Sequence, residues 1–335
     1  MKKQLLLFLI IIPVFGILQG QNLIRVNNVA GADADYASLQ EANDNASDGD
    51  TIYVEGSTIE YEGADISRRL TIFGPGYFLS ENDSTQANGL EAVFNGQINF
   101  NAGSNGSTMA GCNLPTGYLY ISADDIHLTR CRVAHIEFQG DIENILILQN
   151  LAGSIETVSY QDIISNSVIS NNIVNYRIDI SANSGPLQII NNVVDGTYGG
   201  YSFPINVYNS TIANNIICYS SGVIAENTGN TITNNLLAAD GTNANGNQYN
   251  MAMANVFADY DGSLDYSTDG KWQLKEGSPA IGAGVGGVDC GAFGGITPYV
   301  LSGLPDLPHI YEAVVPGTAI ADEGLPVTIR VKSGK

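Results

Sequence analysis

A pair of asparagines, flanked on both sides by β-branched or aliphatic residues, recurs four times between Ile169 and Leu237. The copies centre on Asn171-Asn172, Asn191-Asn192, Asn214-Asn215 and Asn234-Asn235, so the second asparagines follow one another at intervals of 20, 23 and 20 residues. A period of this length is that of a solenoid, in which one short supersecondary unit stacks on the next. Counting backwards in similar steps meets Asn150, Cys131 and Cys112. The expected ladder therefore has seven rungs: Cys112, Cys131, Asn150, Asn172, Asn192, Asn215 and Asn235.

Stacked coils lie about 4.8 Å apart, the spacing of neighbouring strands. An inward asparagine at a bend can offer its amide to the same group above and below, and it tolerates a left-handed backbone. Between residues 50 and 260 short β-branched runs alternate with Gly, Asn, Ser and Asp turns, without a helical pattern of useful length. Strands without crossover helices cannot make a doubly wound sheet. The expectation is an all-β chain: a single-stranded right-handed parallel β-helix of about ten coils. A short helix over 33–43, capped by Asp33 or Asp35, covers its first coil.

The pattern resembles the right-handed parallel β-helix proteins of the pectate-lyase-like superfamily, over roughly residues 30–295. The phrases Ser278-Pro279-Ala280-Ile281 and Asp289-Cys290-Gly291-Ala292-Phe293 resemble the closing segment of secreted bacterial β-helix proteins labelled choice-of-anchor Q. That resemblance implies extracellular display. The superfamily resemblance implies a fold that hosts lyases, hydrolases, isomerases, tailspikes and adhesins, so activity has to be read from the residues.

Lys2 and Lys3 precede an apolar run from Leu5 to Leu18 that is broken by Pro13. This is the layout of a signal peptide over 1–20, with no cysteine for a lipoprotein anchor and a run too short for a membrane span. The β-helix with its cap then occupies 21–296. Residues 297–335 form a C-terminal extension, a Pro-rich strap with Pro298, Pro305 and Pro308 followed by a final strand near Leu325–Val331. The net charge is −21, and no lysine occurs between Lys3 and Lys271. Such a surface repels phosphate backbones and acidic membranes, so nucleic acid is a poor partner; the expected partner is a polysaccharide or cell-surface glycan.

Several constellations could carry chemistry. His127, Arg130, Arg132 and His135 fall within nine residues and are weak catalytic candidates; alternation around Cys131 points both arginines to a solvated face. Glu143 lies 19 residues after Asp124 and should stack over it beside Asp125, where the three carboxylates could hold calcium. No other cofactor is indicated: three histidines give no Ser/His/Asp order, the Cys/His spacing does not suit zinc, and the Gly-rich phrases lack a nucleotide-binding context. Cys112 and Cys131, on adjacent rungs, are either a disulfide or two buried free thiols. The expanded coil between Asn192 and Asn215 brings in Tyr198, Tyr201 and Tyr208, which either stack on sugar rings or cover an apolar face. The expected function is a secreted or cell-surface scaffold for carbohydrate binding or adhesion. The alternative is a polysaccharide lyase or glycoside hydrolase.

Overall fold

A computed structural model describes residues 21–196, 202–318 and 324–333. The expected signal peptide, Tyr198 and Tyr201 lie outside the described residues. The chain is a right-handed parallel β-solenoid of about nine turns, against about ten expected. One face is a ten-stranded parallel sheet running from Leu23–Val26 to Thr231–Thr233. A second, eleven-stranded parallel sheet runs from Tyr61–Ile66 to Leu236–Leu237.

The register makes the core a set of columns. In the first sheet Ile52, Ile72, Met109, Leu128, Ile147, Ile169, Ile189 and Ile212 follow one another as direct partners, and all are buried. Facing them, the second sheet stacks Ile98, Leu119, Ile136, Ile155, Ile178 and Ile205. Each strand thus buries one aliphatic side chain per coil against its neighbours above and below. This arrangement lets short strands share a continuous core.

The asparagine ladder forms at the bend between the two sheets. Asn150, Asn172, Asn192, Asn215 and Asn235 are fully buried. The Asn172 backbone N–H and side-chain Nδ2 both donate to Asn192 Oδ1 at 3.0 Å, and the pattern repeats from Asn192 to Asn215 and from Asn215 to Asn235. Each amide also donates to a carbonyl one coil back, as Asn192 does to Ile169 O at 2.9 Å. The ladder has one more rung than expected. Asn235 donates to Asn247 Oδ1, only 12 residues on, because the last coil is cut short by the Ala244–Asn247 turn. At the other end Cys112 and Cys131 are buried free thiols.

The left-handed backbone belongs to the residue before each rung, which corrects the expectation for the rung itself. Arg130, Gln149, Asn171, Asn191, Asn214 and Asn234 all have φ between 53° and 59°. That conformation turns the chain sharply, so the next residue points inward while this one points out.

The capping helix spans Leu39–Asn45, shorter than expected at its start. Ser38 caps it by accepting from Glu41 N, in a Ser-x-x-Glu arrangement. Asp35 instead accepts from Arg25 N at 2.7 Å, and Tyr36 bridges in parallel to Val26, which holds this stretch along the first strand. Leu39 and Ala42 close the end of the core.

After the last coil the chain reverses and runs back along the outside of the second sheet. Its residues Met253, Val256, Phe257, Trp272, Ala280, Cys290, Ala292 and Tyr299 bury the outward column Leu151, Ile173, Val193, Ile216 and Leu236. The strap therefore starts well before the Pro-rich stretch expected to form it. Glycine is required where strap and coil touch: a Cβ on Gly291 would sit 2.6 Å from Ile216 Cδ1, and one on Gly294 would sit 2.9 Å from Asn191 Nδ2. The chain finishes in an antiparallel hairpin of His309–Val314 with Thr328–Lys332. No helix among the described residues is long and apolar enough to cross a membrane.

Candidate functional site

The second sheet bends at Ala134 and Gly153. Pairing is regular from Arg132–Leu151 to Val133–Ala152, lapses at Ala134 and Gly153, and resumes at His135–Ser154. In the preceding coil three residues, Pro115 to Gly117, stand opposite Ala134, so the register shifts there. At this kink Ala134 and Gly153 line a cavity on the outer face. On one side of it the outward side chain is Arg132, and on the other it is His135.

Register then builds an aromatic row beyond the kink. Tyr118 is the direct partner of His135, and their rings stack at 4.5 Å with 13° between planes. Tyr120 stacks on Tyr118 at 5.8 Å. The coil after His135 carries only Gly153 and Ser154 at this place, so the ring of Tyr176 reaches back across it to 6.4 Å from the imidazole, again near parallel. A Cβ on Gly153 would lie 2.1 Å from Ala134 O and 3.1 Å from Tyr176 Cε2, so no larger residue fits. Ser154 Oγ and His135 Nδ1 share a 2.9 Å hydrogen bond that fixes the imidazole plane.

The strap supplies the opposite wall. Thr268, Lys271 and Trp272, together with Phe78, enclose a cavity of about 300 Å³ with Arg132, His135, Gly153, Asn175, Tyr176 and Asp195. Arg132 lies over the Phe78 ring at 4.7 Å and Lys271 Nζ over the Trp272 ring at 4.8 Å. Asp269, fully buried beside this wall, accepts from Asn82 Nδ2 at 3.0 Å and Ser302 N at 2.7 Å. The first bond ties the 267–272 segment to the loop after Tyr77, and the second ties it to the turn at Leu301–Gly303. The wall is thus anchored to the coils at the point where it faces the kink.

A charged row flanks the aromatic one, two residues further along the same strands. Glu137 and Glu156 are direct partners, as are Glu156 and Asp179. Arg177 bridges the second pair, at 2.7 Å to Glu156 and 2.8 Å to Asp179. Burial raises the Glu137 carboxyl above its ordinary value, the neighbouring Glu156 raises it further, and His135 works against both.

The four basic candidates do not converge. His127 is exposed on the first sheet. Arg130 is not on a solvated face, as alternation implied, because its left-handed backbone turns it under the strap. There its Nε donates to Gln149 Oε1 and its Nη1 to Leu304 O, both at 2.9 Å. Burial lowers the Arg130 guanidinium from its ordinary value, with Asp306 opposing. Arg132 and His135 do share the cavity.

The carboxylates Asp124, Asp125 and Glu143 lie on adjacent coils, where they answer to amides. Asp124 Oδ1 accepts from Glu143 N, Asp125 Oδ1 from Asn144 Nδ2, and Glu143 Oε2 from Asn166 Nδ2. Among the described residues no group of three or more His, Cys, Asp or Glu side chains is disposed to hold a metal ion. Tyr208 is half-buried and lines a separate opening of about 640 Å³ with Phe203, Asn206, Asn227 and Tyr249.

Phe78, Tyr118, Tyr176, Lys271 and Trp272 were missed as site residues when the chain was read along its length, since they come from four distant segments. The signal available in advance was the small pair Gly153-Ser154 set between coils that carry rings. No protein-family model and no curated protein matches the chain.

Proposed function

We propose that the protein is an exported β-helix of the pectate-lyase-like superfamily, with a choice-of-anchor Q type closing segment, that binds carbohydrate without cleaving it. The observation that carries this reading is the cavity at the kink. It pairs ring faces and edges from Phe78, Tyr176, His135 and Trp272 with polar groups from Asn175, Thr268 and Arg132. Sugars are recognised by this combination, since their C–H faces pack on aromatic rings while their hydroxyls need donors and acceptors nearby. The hydrogen-bonded asparagine ladder and the strap built from Ser278-Pro279-Ala280 and Asp289–Gly294 support the superfamily part of the reading. The region of Tyr208, Phe203 and Tyr249 gives a second place along the same surface for a long glycan to touch.

Glycoside hydrolysis is the second reading, favoured by one observation. Glu137 and Glu156 are adjacent partners in unlike surroundings: burial and then the neighbouring Glu156 raise the Glu137 carboxyl above its ordinary value, while Glu156 pairs with Arg177 at 2.7 Å. Two adjacent carboxyls in unlike surroundings can serve as acid and base or nucleophile.

A glycan array probed with the mature chain, followed by a reducing-end assay on every hit, separates the readings. Binding with no new reducing ends is expected. Release of reducing ends that stops in Glu137→Gln would replace the first reading with the second. An array without hits would overturn both.

A further inference from the structure

We propose that two copies of this chain associate face to face through the outer surface of the first sheet, about a two-fold axis that sets their coils antiparallel. The contact is independent of the glycan reading, since the kink cavity lies on the second sheet and stays open.

From its second strand to its tenth the first sheet pairs residue for residue, and each strand turns two side chains outward. None of these outward residues is Asp, Glu, Lys or Arg. In a chain with 13 basic and 34 acidic residues several would be expected there, because charge gathers on the outside. Copies of a protein of net charge −21 repel one another, so close approach is least opposed where neither carries charge.

The order of residues along the face selects a second copy as its occupant. One outward row begins with Thr51, Thr71 and Thr108 and ends with Thr211 and Thr231. Between them lie His127, Leu146, Val168 and Gln188, with Leu148 and Ile190 beside them in the second row. The strap lies over the second sheet, and these four aliphatic side chains keep partial exposure. An apolar middle between polar ends is the anatomy of a protein contact. A two-fold axis along the strand of Leu146 sets Leu146 on Leu146 of the second copy, Thr71 on its Thr211 and Thr51 on its Thr231. A hydroxyl both donates and accepts, so threonine on threonine leaves no group unpaired. The row is thus close to self-complementary, as an isologous contact requires.

Nine strands about 4.8 Å apart, with outward positions about 7 Å apart on each, give a face of roughly 40 Å by 12 Å. Two copies then bury about 1,000 Å², the lower bound for a specific interface, so the dimer is a weak one.

Sedimentation velocity of the full chain between about 1 and 500 μM, the range suited to a contact of this size, tests the proposal. A monomer–dimer equilibrium is expected. Added salt should strengthen it, because salt screens the acidic surfaces and the contact holds no ion pair to weaken. Leu146→Lys, Val168→Lys and His127→Glu should each weaken association about tenfold or more, with an unchanged circular dichroism spectrum, since each sets like or unpaired charge in the contact. Val168→Lys combined with His127→Glu should restore association. The two-fold sets each introduced lysine opposite an introduced glutamate of the other copy, whereas within one copy the strand of Leu146 separates them. A chain that stays monomeric throughout would overturn the proposal and leave the charge-free face to a different partner. Oligomers that grow beyond a dimer would overturn it too, as would a dimer indifferent to all three single variants. A combined variant that associates no better than its single parents would overturn the antiparallel arrangement.

Discussion

Asn191 and Asn192 are chain neighbours with opposite duties: Asn191 donates its side-chain amide outward to Asp289 O of the strap at 2.8 Å, and Asn192 donates inward to Asn215 Oδ1 at 3.0 Å. The division repeats at every doublet. Asn171 holds Ala292 O and Gly294 O, Asn214 Oδ1 accepts from Val285 N, and Asn234 holds Ala283 O. Gln149 and Arg130 continue the outward series to Pro298 O and Leu304 O. One short phrase therefore builds the interior of the solenoid and docks the strap that walls its cavity.

The two asparagines should differ in what their loss does. Asn192→Ala removes the acceptor of two buried donors on Asn172 and the partner of Ile169 O, and is expected to cost about 3 kcal/mol. Asn191→Ala, at the edge of the strap, should cost about 1 kcal/mol. Urea denaturation of the two variants checks the order.

Loss of the outward series should free the strap before it unfolds the coils. The combined variant Asn171→Ala, Asn191→Ala, Asn234→Ala is expected to be cut sooner by protease near the exposed Ile296, while its far-ultraviolet circular dichroism stays that of the parent. Limited proteolysis followed by mass spectrometry reads the site and the rate.

Gly153→Ala should disturb the floor of the cavity. Its methyl group would meet the Ala134 carbonyl, which is backbone and has little freedom to withdraw. A cost of about 2 kcal/mol is expected, together with weaker glycan binding, because Tyr176 must also move. Thermal denaturation and a binding titration measure the two effects separately.

The Glu137 carboxyl gives the pH dependence a sign. Burial raises its folded-state pKa, so the charged form is the disfavoured one, and the protonated form's contribution to stability is lost as pH rises through that raised value. Glu137→Gln, neutral throughout, should therefore gain stability relative to the parent above the ordinary glutamate range and match it in acid. Denaturation midpoints of both proteins across that range test it.

Much of the solenoid was legible in the chain because its determinants are local and periodic. The asparagine spacing gave the register well enough to set Glu143 over Asp124, as the Glu143 N to Asp124 Oδ1 bond at 2.9 Å shows. Asn247 escaped because its rung comes after 12 residues, where the coil is truncated. The cavity was less visible. His135 and Arg132 stood out as rare basic groups, but Trp272 and Lys271 reach them only because the strap folds back over more than a hundred residues of chain, a contact without periodicity. The fate of Arg130 turned on a left-handed backbone that simple strand alternation does not anticipate.

The most direct test compares the wild-type chain with Tyr176→Ala for binding to the strongest array glycan, by titration calorimetry. Tyr176 projects into the cavity across Gly153, and removing its ring should weaken binding about tenfold, equivalent to roughly 1.4 kcal/mol of lost contact. Equal affinity in the two proteins would contradict glycan recognition at this cavity.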